Sequence, residues 1–310
     1  MGMLVNGKWE KGPIVKRDKK GGYDRQPRTF RDYISHQHPV YKPETDRYHL
    51  YVSYACPWAT RTLIFRNLKD LVDHISVSVV HPDMLEEGWV FNDSYPGATR
   101  DDLFGFKTLK EVYQKADPNI TTSVSVPVLW DKKTSSIVNN ESSEIIRMFN
   151  DSFNQLTGNT NDYYPDAKKA EIDALNEKIY VAINNGVYRA GFARTQEAYD
   201  DAVNQLFSVL DELDDLLENR NYLLGDDITE ADIRLIPTLL RFDLVYVTHF
   251  KCNVRRIKDY KNLSRYTKAL YEIPAITEAT NFDHIKRHYY YSHEGINPFR
   301  IIPKGPSDIF

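Results

Sequence analysis

The sequence is poor in cysteine and has no strong excess of either charge. Only two cysteines, Cys56 and Cys252, occur among 310 residues, which excludes a disulfide scaffold and favours a reducing compartment. The net charge is −4 and the basic residues are scattered, so the electropositive surface of a nucleic-acid-binding protein is absent. No run approaches the ~20 apolar residues that span a bilayer, and no secretory h-region opens the chain. We therefore expect a cytoplasmic protein without nucleic-acid or membrane partners.

The chain does have an ordinary apolar content and many tyrosines. Its hydrophobic fraction of 41% and charged fraction of 27% are typical of a globular protein, and its length is sufficient for two domains. Tyrosine outnumbers phenylalanine by 21 to 14. Most of these rings are expected to serve in packing, but Tyr246 and the run 289–291 are candidates for a pocket that takes aromatic ligands, because tyrosine combines an apolar ring with a hydroxyl.

Cys56 follows an apolar run at residues 47–53 and precedes a helical stretch that opens with Pro57. A helix N-terminus favours thiolate over thiol, and proline suits the first helical turn. Ala59 stands where a Cys-x-x-Cys redox protein carries its second sulfur. No local disulfide can form, so an external thiol must complete any redox cycle. The alternative is a buried structural cysteine, and Cys-Pro alone does not decide between the two.

The order of predicted elements in the first half of the chain indicates a thioredoxin-like plan. A strand, a helix and a second strand imply a parallel βαβ unit, and a hairpin and a further helix complete the plan. The Val126–Pro127 bond at the head of the hairpin is a candidate for a cis peptide. These elements are predicted at residues 47–53, 59–71, 75–80, 125–130 with 135–138, and 145–149.

The rest of the chain is predicted to be an irregular N-terminal arm and a series of helices. Apolar residues recur at helical spacing over 167–187, 195–218, 229–245 and 260–272. The third helix has a complete start signal, because Thr229 is a suitable N-cap and Asp232 follows three residues later. We expect an arm at 1–45, a thioredoxin-like domain at 46–160 and an all-helical domain at 166–310.

Ten short motifs, spread along the chain in a fixed order, resemble one family. They resemble the glutathionyl-hydroquinone reductases, also called the Xi class of glutathione transferases, from about residue 1 to Pro303. The resemblance implies an α/β thioredoxin-like N-terminal domain followed by an all-α C-terminal domain of the glutathione-transferase type. The motifs are YHLYVS at 48–53, ACPWA at 55–59, EGW at 87–89, VPVLWD at 126–131, NES at 140–142, IIRMFN at 145–150, NNGVY at 184–188, TEADIR at 229–234, RFD at 241–243 and YVTHFKC at 246–252.

The resemblance implies an enzyme that uses glutathione as co-substrate. Its substrate would be an aromatic glutathionyl-hydroquinone, reduced to the free hydroquinone through a mixed disulfide between Cys56 and glutathione. It also implies a homodimer. One alternative is a cysteine-type transferase that reduces dehydroascorbate or mixed disulfides, and another is a non-catalytic binding protein. No metal is expected, because His284 and His288 have no third ligand in a recognisable motif.

The resemblance also implies catalytic roles for one cysteine and three tyrosines. Cys56 is the nucleophile and Tyr188 the proton donor, while Tyr246 and Tyr289 stabilise the thiolate by hydrogen bonding. Without the resemblance, each tyrosine would be interpreted as an ordinary part-buried residue. Cys252 is expected to be a small buried residue that could resolve a disulfide only if folding brought it close to the nucleophile.

The resemblance also implies a glutathione site over the N-terminal domain. Val126 would pair with the backbone of the cysteinyl part of glutathione like an added strand. Glu141 would accept from the α-ammonium group and Ser142 would hold the α-carboxylate, with helix capping as the alternative role of both. Ser123 stands near a position where the family carries a basic residue, and a serine cannot pair ionically with the glycyl carboxylate. The predicted glutathione-binding residues are Trp89, Ser123, Val124, Ser125, Val126, Pro127, Glu141 and Ser142.

Overall fold

The structure is a computed structural model that describes residues 2–12, 16–17, 21–24 and 27–308. Within these residues, no helix is both long and apolar enough to cross a membrane. The strands are β1 (Gly2–Val5), β2 (Lys8–Lys11), β3 (Lys16–Arg17), β4 (Tyr23–Asp24), β5 (Tyr48–Val52), β6 (Ile75–Val79), β7 (Val128–Asp131) and β8 (Ser136–Asn139). The helices are α1 (Pro57–Leu68), α2 (Leu109–Ala116), α3 (Ser142–Asp151), α4 (Asn154–Thr157), α5 (Lys169–Ile179), α6 (Gly186–Gly191), α7 (Gln196–Leu216), α8 (Glu230–Arg241), α9 (Val247–His249), α10 (Lys261–Tyr271), α11 (Pro274–Glu278) and α12 (Phe282–Ser292).

The chain divides into two compact units. One unit contains the described residues of Met1–Ile14, Pro27–Asn161 and Glu278–Ser292, and the other those of Val15–Gln26, Asp162–Thr277 and His293–Phe310. The first unit therefore includes α12, which is more than a hundred residues distant in sequence from the rest of that unit. The domain boundaries predicted from the sequence stay predictions.

The first unit is built on a four-stranded sheet in the order β6-β5-β7-β8. Strand β5 is parallel to β6 and antiparallel to β7, and β7 is antiparallel to β8. Every residue of β5 is buried, as expected for a central strand covered on both faces. Helices α1 and α3 pack against each other. The predicted βαβ unit followed by a hairpin and a helix is confirmed, and with it the α/β class of this unit.

A hairpin of β1 and β2 opens the chain, so the expectation of irregular structure over the arm is wrong for residues 2–11. Its turn is formed by Asn6 and Gly7, which both have positive φ angles, of 47° and 73°. Asn-Gly between apolar runs is the preferred two-residue hairpin turn. A Cβ atom on Gly7 would lie 1.8 Å from the carbonyl oxygen of Pro118, so only glycine fits there.

Residues 30–32 continue the sheet beyond β8. Arg31 forms an isolated antiparallel bridge with Asn139. The amide of Asn140 donates to the carbonyl of Phe30 at 3.1 Å. This short stretch of arm pairs the edge of β8, which would otherwise expose unpaired backbone groups. It also reaches the β8–α3 turn, where two of the predicted glutathione-binding residues lie.

The second unit is mainly helical, and α8 and α10 pack against each other in it. Two predicted long helices each contain a π-helical turn, at Tyr180–Asn184 after α5 and at Phe242–Tyr246 after α8. Helix α8 begins after Thr229, as predicted from its capping pattern. The all-helical character expected for this part of the chain is confirmed.

Asp232 joins the start of α8 to the residues around it. One carboxylate oxygen, Oδ2, accepts from the amide and the hydroxyl of Thr229 at 2.8 and 2.9 Å. The other, Oδ1, accepts from the amide of Leu223 at 3.0 Å and the hydroxyl of Tyr266 at 2.8 Å. Burial raises the pKa of the Asp232 carboxyl. Because four donors converge on one buried carboxylate, this side chain is a structural centre of the helical unit.

Candidate active site

Cys56 is the N-cap of α1, with Pro57 at the first helical position. Its side chain is half-buried, and no acidic residue occupies the first turn of the helix. The sulfur lies 3.6 Å from the carbonyl oxygen of Val126. The structure therefore places Cys56 as a part-exposed sulfur at the N-terminus of a helix, and its role as nucleophile stays a prediction.

The segment that faces this sulfur precedes β7. The Val126–Pro127 peptide is cis, as predicted. No described residue accepts a hydrogen bond from the amide of Val126. The hydroxyl of Ser125 is buried and has no partner among the described residues. An extended segment whose backbone amide has no protein acceptor is suited to pairing with a peptide ligand in the manner of an added strand.

The predicted γ-glutamyl site lies at the N-terminus of α3. Glu141 is its N-cap, and Oε1 of that side chain accepts from the amide of Ser143 at 3.1 Å and the hydroxyl of Ser142 at 3.3 Å. Glu141 therefore does cap α3, which is the alternative role stated for it above. This cap engages only Oε1, and no described residue donates to Oε2. The same carboxylate can therefore cap the helix and accept from an ammonium group.

Trp89 is buried, with 6% of its surface exposed, in the loop between β6 and α2. Its ring stacks on His288 of α12, with centroids 4.8 Å apart and planes 23° apart. Nδ1 of His288 donates to the carbonyl of Pro82 at 2.9 Å. Helix α12 thus supports the ring of a predicted glutathione contact, a role that the His-x3-His spacing of residues 284 and 288 does not indicate.

Further contacts fix α12 to the same loop. Arg287 forms a two-bond ion pair with Asp83, at 2.7 and 2.8 Å, and Nε2 of His284 donates to the carbonyl of Pro96 at 2.7 Å. Across the described ranges, no group of three or more His, Cys, Asp or Glu side chains is placed to hold a metal ion. Tyr289, predicted to act on the sulfur, is buried on this helix and belongs to the same unit as the nucleophile.

The other two predicted catalytic tyrosines lie together in the helical unit. Tyr188 is half-buried on α6, and its ring centroid is 6.1 Å from that of Tyr246. Tyr246 is fully buried and stacks on Phe250 at 5.4 Å. Phe192 lies 6.2 Å from Tyr188. The result is an aromatic cluster with a partly exposed phenol, which suits contact with a flat aromatic ring.

Cys252 is a buried residue of the helical unit. None of its surface is exposed, its amide donates to the carbonyl of Tyr246 at 2.9 Å, and burial raises the pKa of its thiol. A thiol kept protonated and covered is a poor nucleophile. The interpretation of Cys252 as a small buried residue is confirmed.

The first unit contains Cys56, the 123–127 segment, Trp89, the N-terminus of α3 and Tyr289, and the second contains Tyr188 and Tyr246. Of these, the structure shows Cys56 beside Val126. Ser123 and Val124 lie on the extended segment between an isolated bridge at Thr122 and β7. Sequence reasoning missed the contacts that Tyr113 makes with Ser125 and Asn140, and it considered His288 only as a metal ligand and not as the residue on which Trp89 stacks. Their roles depend on contacts between distant segments, which periodicity does not report.

The comparisons with known proteins agree with this architecture. Residues 55–152 match the model of the glutathione S-transferase N-terminal domain, and residues 196–269 match that of the glutathione S-transferase C-terminal domain. A thioredoxin-like unit with a sulfur at its first helix, together with a helical unit, is thus the architecture of a glutathione transferase.

Relatives define the class more narrowly. The chain is 51% identical over 313 residues to the glutathionyl-hydroquinone reductase YqjG of Escherichia coli (strain K12), covering 99% of this chain and 95% of that protein. It is 46% identical to the glutathionyl-hydroquinone reductase PcpF of Sphingobium chlorophenolicum, covering 99% and 97%. The chain belongs to the glutathionyl-hydroquinone reductases, the Xi class of the glutathione transferases, and the resemblance stated from its motifs is confirmed.

Solved structures give the same result. The crystal structure of the glutathione-S-transferase Xi from Phanerochaete chrysosporium superposes with a TM-score of 0.93 at 51% identity, covering 95% of this chain and 96% of that one. The glutathione-bound structure of YqjG superposes with a TM-score of 0.91 at 50% identity, covering 99% and 97%. The predicted fold class, a thioredoxin-like domain followed by a helical one, is confirmed.

Proposed function

We propose that the protein is a glutathione-dependent reductase of glutathionyl-hydroquinones. It converts a glutathionyl-hydroquinone and one glutathione into the free hydroquinone and glutathione disulfide. The observation that carries the proposal is the lone half-buried sulfur of Cys56 at the N-terminus of α1, 3.6 Å from the Val126 carbonyl. Ala59 leaves no local sulfur to compete with glutathione.

The first step breaks the bond between the ring carbon and sulfur. The Cys56 thiolate attacks the glutathione sulfur, and the ring carbon leaves with the bonding electron pair. Because a carbanion is a poor leaving group, a general acid must protonate it, and Tyr188 supplies that proton. Its half-buried phenol in the aromatic cluster fits this role. Tyr246 and Tyr289 stabilise the attacking thiolate by hydrogen bonding.

The second step restores the enzyme. Cys56 and glutathione are now joined by a mixed disulfide. The thiolate of a second glutathione attacks the glutathione sulfur of that disulfide, glutathione disulfide is released, and the Cys56 thiolate is regenerated. The proton given up by the second glutathione replaces the one that Tyr188 delivered, so atoms and electrons balance over the cycle.

Glutathione is held by the first unit. The amide and carbonyl of Val126 pair with its cysteinyl backbone, and Ser123, Val124, Ser125 and Pro127 shape the same segment. Glu141 accepts from the α-ammonium group through Oε2, and Ser142 with the first turn of α3 holds the α-carboxylate. The Trp89 ring, braced by His288, contacts the tripeptide.

Substitution of the nucleophile tests the proposal. Cys56→Ala removes the sulfur and is expected to abolish release of hydroquinone from a glutathionyl-hydroquinone, with an unchanged circular dichroism spectrum. Cys56→Ser is expected to be nearly as inactive, because a hydroxyl is far less nucleophilic at neutral pH. Mass analysis of the wild-type protein after a single turnover should find one glutathione attached to Cys56. Retained turnover in Cys56→Ala would refute the assignment.

Replacement of the general acid separates this reductase from a disulfide or dehydroascorbate reductase. Cleavage of a thioether needs a proton on carbon, whereas reduction of a mixed disulfide does not. Tyr188→Phe is therefore expected to lower reduction of a glutathionyl-hydroquinone at least a hundredfold and to leave reduction of a glutathionylated peptide within about threefold. Equal losses with both substrates would contradict the role of Tyr188.

The assembly and the location are also proposals. A homodimer is expected from the resemblance to the family, and light scattering after gel filtration distinguishes it from a monomer. A cytoplasmic location is favoured by the low cysteine content. Cell fractionation with an antibody against the protein tests the location.

A further inference from the structure

We propose that Tyr113 is a positioning residue for glutathione, because its phenol oxygen ties together the two segments that hold the tripeptide. The inference rests on the proposed function, since it assigns a structural support to the glutathione site described above. Tyr113 lies on α2, outside every motif that the sequence singled out, and none of its surface is exposed.

The first tie is to the segment that faces Cys56. The Tyr113 hydroxyl donates to the carbonyl of Ser125 at 2.8 Å. It also lies 3.4 Å from the amide of the same residue, from which it accepts. Ser125 directly precedes Val126, the residue whose backbone is proposed to pair with glutathione. Both backbone groups of Ser125 are thus held by one side-chain oxygen.

The second tie is to the turn before α3. Nδ2 of Asn140 donates to the same phenol oxygen at 3.1 Å. Asn140 is 1% exposed and directly precedes Glu141, which is proposed to bind the α-ammonium group. A phenol has one donor and two acceptor lone pairs, so these three contacts use the full capacity of the Tyr113 hydroxyl.

The turn itself is fixed from the other side by the N-terminal arm. Oδ1 of Asn140 accepts from the amide of Phe30 at 3.2 Å, and the Asn140 amide donates to the Phe30 carbonyl at 3.1 Å. The ring of Phe30 lies edge-on to that of Tyr113, with centroids 6.1 Å apart. Neither Asn140 nor Tyr113 can move without breaking buried contacts.

This arrangement sets the spacing between the two ends of the ligand site. Glutathione must reach Val126 with its cysteinyl backbone and Glu141 with its γ-glutamyl end at the same time. A binding constellation works only when its members are held to within about half an ångström by supporting contacts. Tyr113 is the one side chain among the described residues that hydrogen-bonds to the neighbours of both, Ser125 and Asn140.

The test is Tyr113→Phe, which removes the oxygen and keeps the ring. The matched control is Tyr48→Phe, because Tyr48 is also fully buried in the first unit and donates to a backbone carbonyl, that of Lys42, at 2.7 Å. Titration calorimetry measures the dissociation constant of reduced glutathione for each protein. Tyr113→Phe is expected to weaken binding about tenfold, whereas Tyr48→Phe stays within twofold of the wild type. Turnover at saturating glutathione should change less than the glutathione KM.

Each outcome decides the proposal. Binding by Tyr113→Phe within twofold of the wild type overturns it, and so does an equal loss in Tyr48→Phe, which would indicate a general effect of lost stability. If Tyr113→Phe does not fold, Asn140→Asp carries the test, since it keeps the oxygen that accepts from Phe30 and removes the amide donor. Unchanged binding there overturns the proposal. A wild-type protein that does not bind glutathione would instead refute the proposed function.

Discussion

Asp232 offers a quantitative test of how the helical unit is held together. The substitution Asp232→Asn keeps the size of the side chain and one oxygen. That oxygen can still accept from Leu223 and Tyr266. The new amide group cannot accept from the backbone amide and hydroxyl of Thr229, which now bond to Oδ2 at 2.8 and 2.9 Å. Two donors at a buried helix start therefore lose their acceptor.

The magnitude follows from the cost of buried unpaired donors. Each such group costs about 1–3 kcal/mol. Burial of the carboxylate, which raises its pKa, works in the opposite direction, because the neutral amide is less costly to bury. The Thr229 hydroxyl can also turn toward another acceptor. We therefore expect a net loss of about 2–3 kcal/mol in the free energy of unfolding.

Urea denaturation followed by far-ultraviolet circular dichroism measures this loss. The midpoint should fall while the slope stays constant, which is the signature of a change in stability alone. Asp227→Asn is the control, since it makes the same chemical change on an exposed residue five positions earlier, and we expect less than about 0.5 kcal/mol there. A loss below about 1 kcal/mol in Asp232→Asn would show that this carboxylate is not the centre of the network.

Three further predictions concern other parts of the molecule. Burial holds the pKa of His49 at about 3, below its ordinary 6.5, so this residue makes the folded state less stable as the pH falls below 6.5, by about 2 kcal/mol at pH 5. Burial also lowers the pKa of His81 and His284, so the test is the difference: between pH 7 and 5 the wild type should lose about 2 kcal/mol more than His49→Gln in urea denaturation, and equal losses would contradict the prediction. His288→Ala removes the ring that braces Trp89 and should raise the glutathione KM several-fold, with recovery in His288→Phe; an unchanged KM would contradict the bracing role. Cys252→Ala should leave hydroquinone release within twofold of the wild type, because the thiol is fully buried, and a tenfold loss would indicate a resolving thiol.

Local patterns predicted those parts of the fold that depend on neighbouring residues. The start of α8 after Thr229 follows from a capping pattern four residues long, and the placement of Cys56 follows from a strand, a proline and a helix in succession. The β1–β2 hairpin does have a local signal, because Asn6-Gly7 between two strands is a preferred hairpin turn. The expectation of an irregular arm, which rests on polar composition, is therefore wrong for these residues.

Contacts between distant segments could not be predicted in this way. Residues 282–292 lie outside the predicted helices, and no local pattern indicates the loop against which α12 packs, so the stacking of His288 on Trp89 does not follow from the sequence. In the same way, nothing in the sequence around Tyr113 marks it as the partner of residues 125 and 140. The residues that we propose to perform the chemistry follow from motifs, and the residues that we propose to position them are visible only in the structure.

The return of α12 to the first unit has a consequence for biosynthesis. A ribosome has made the four-stranded sheet and the helix that follows Cys56 by residue 161, yet the helix whose His288 stacks on Trp89 is synthesised more than a hundred residues later. The first unit, proposed to bind glutathione, therefore cannot be complete until α12 has been synthesised. A fragment that ends at residue 161 should contain the proposed nucleophile but bind glutathione weakly. Adding residues 278–292 as a separate peptide should restore part of that binding.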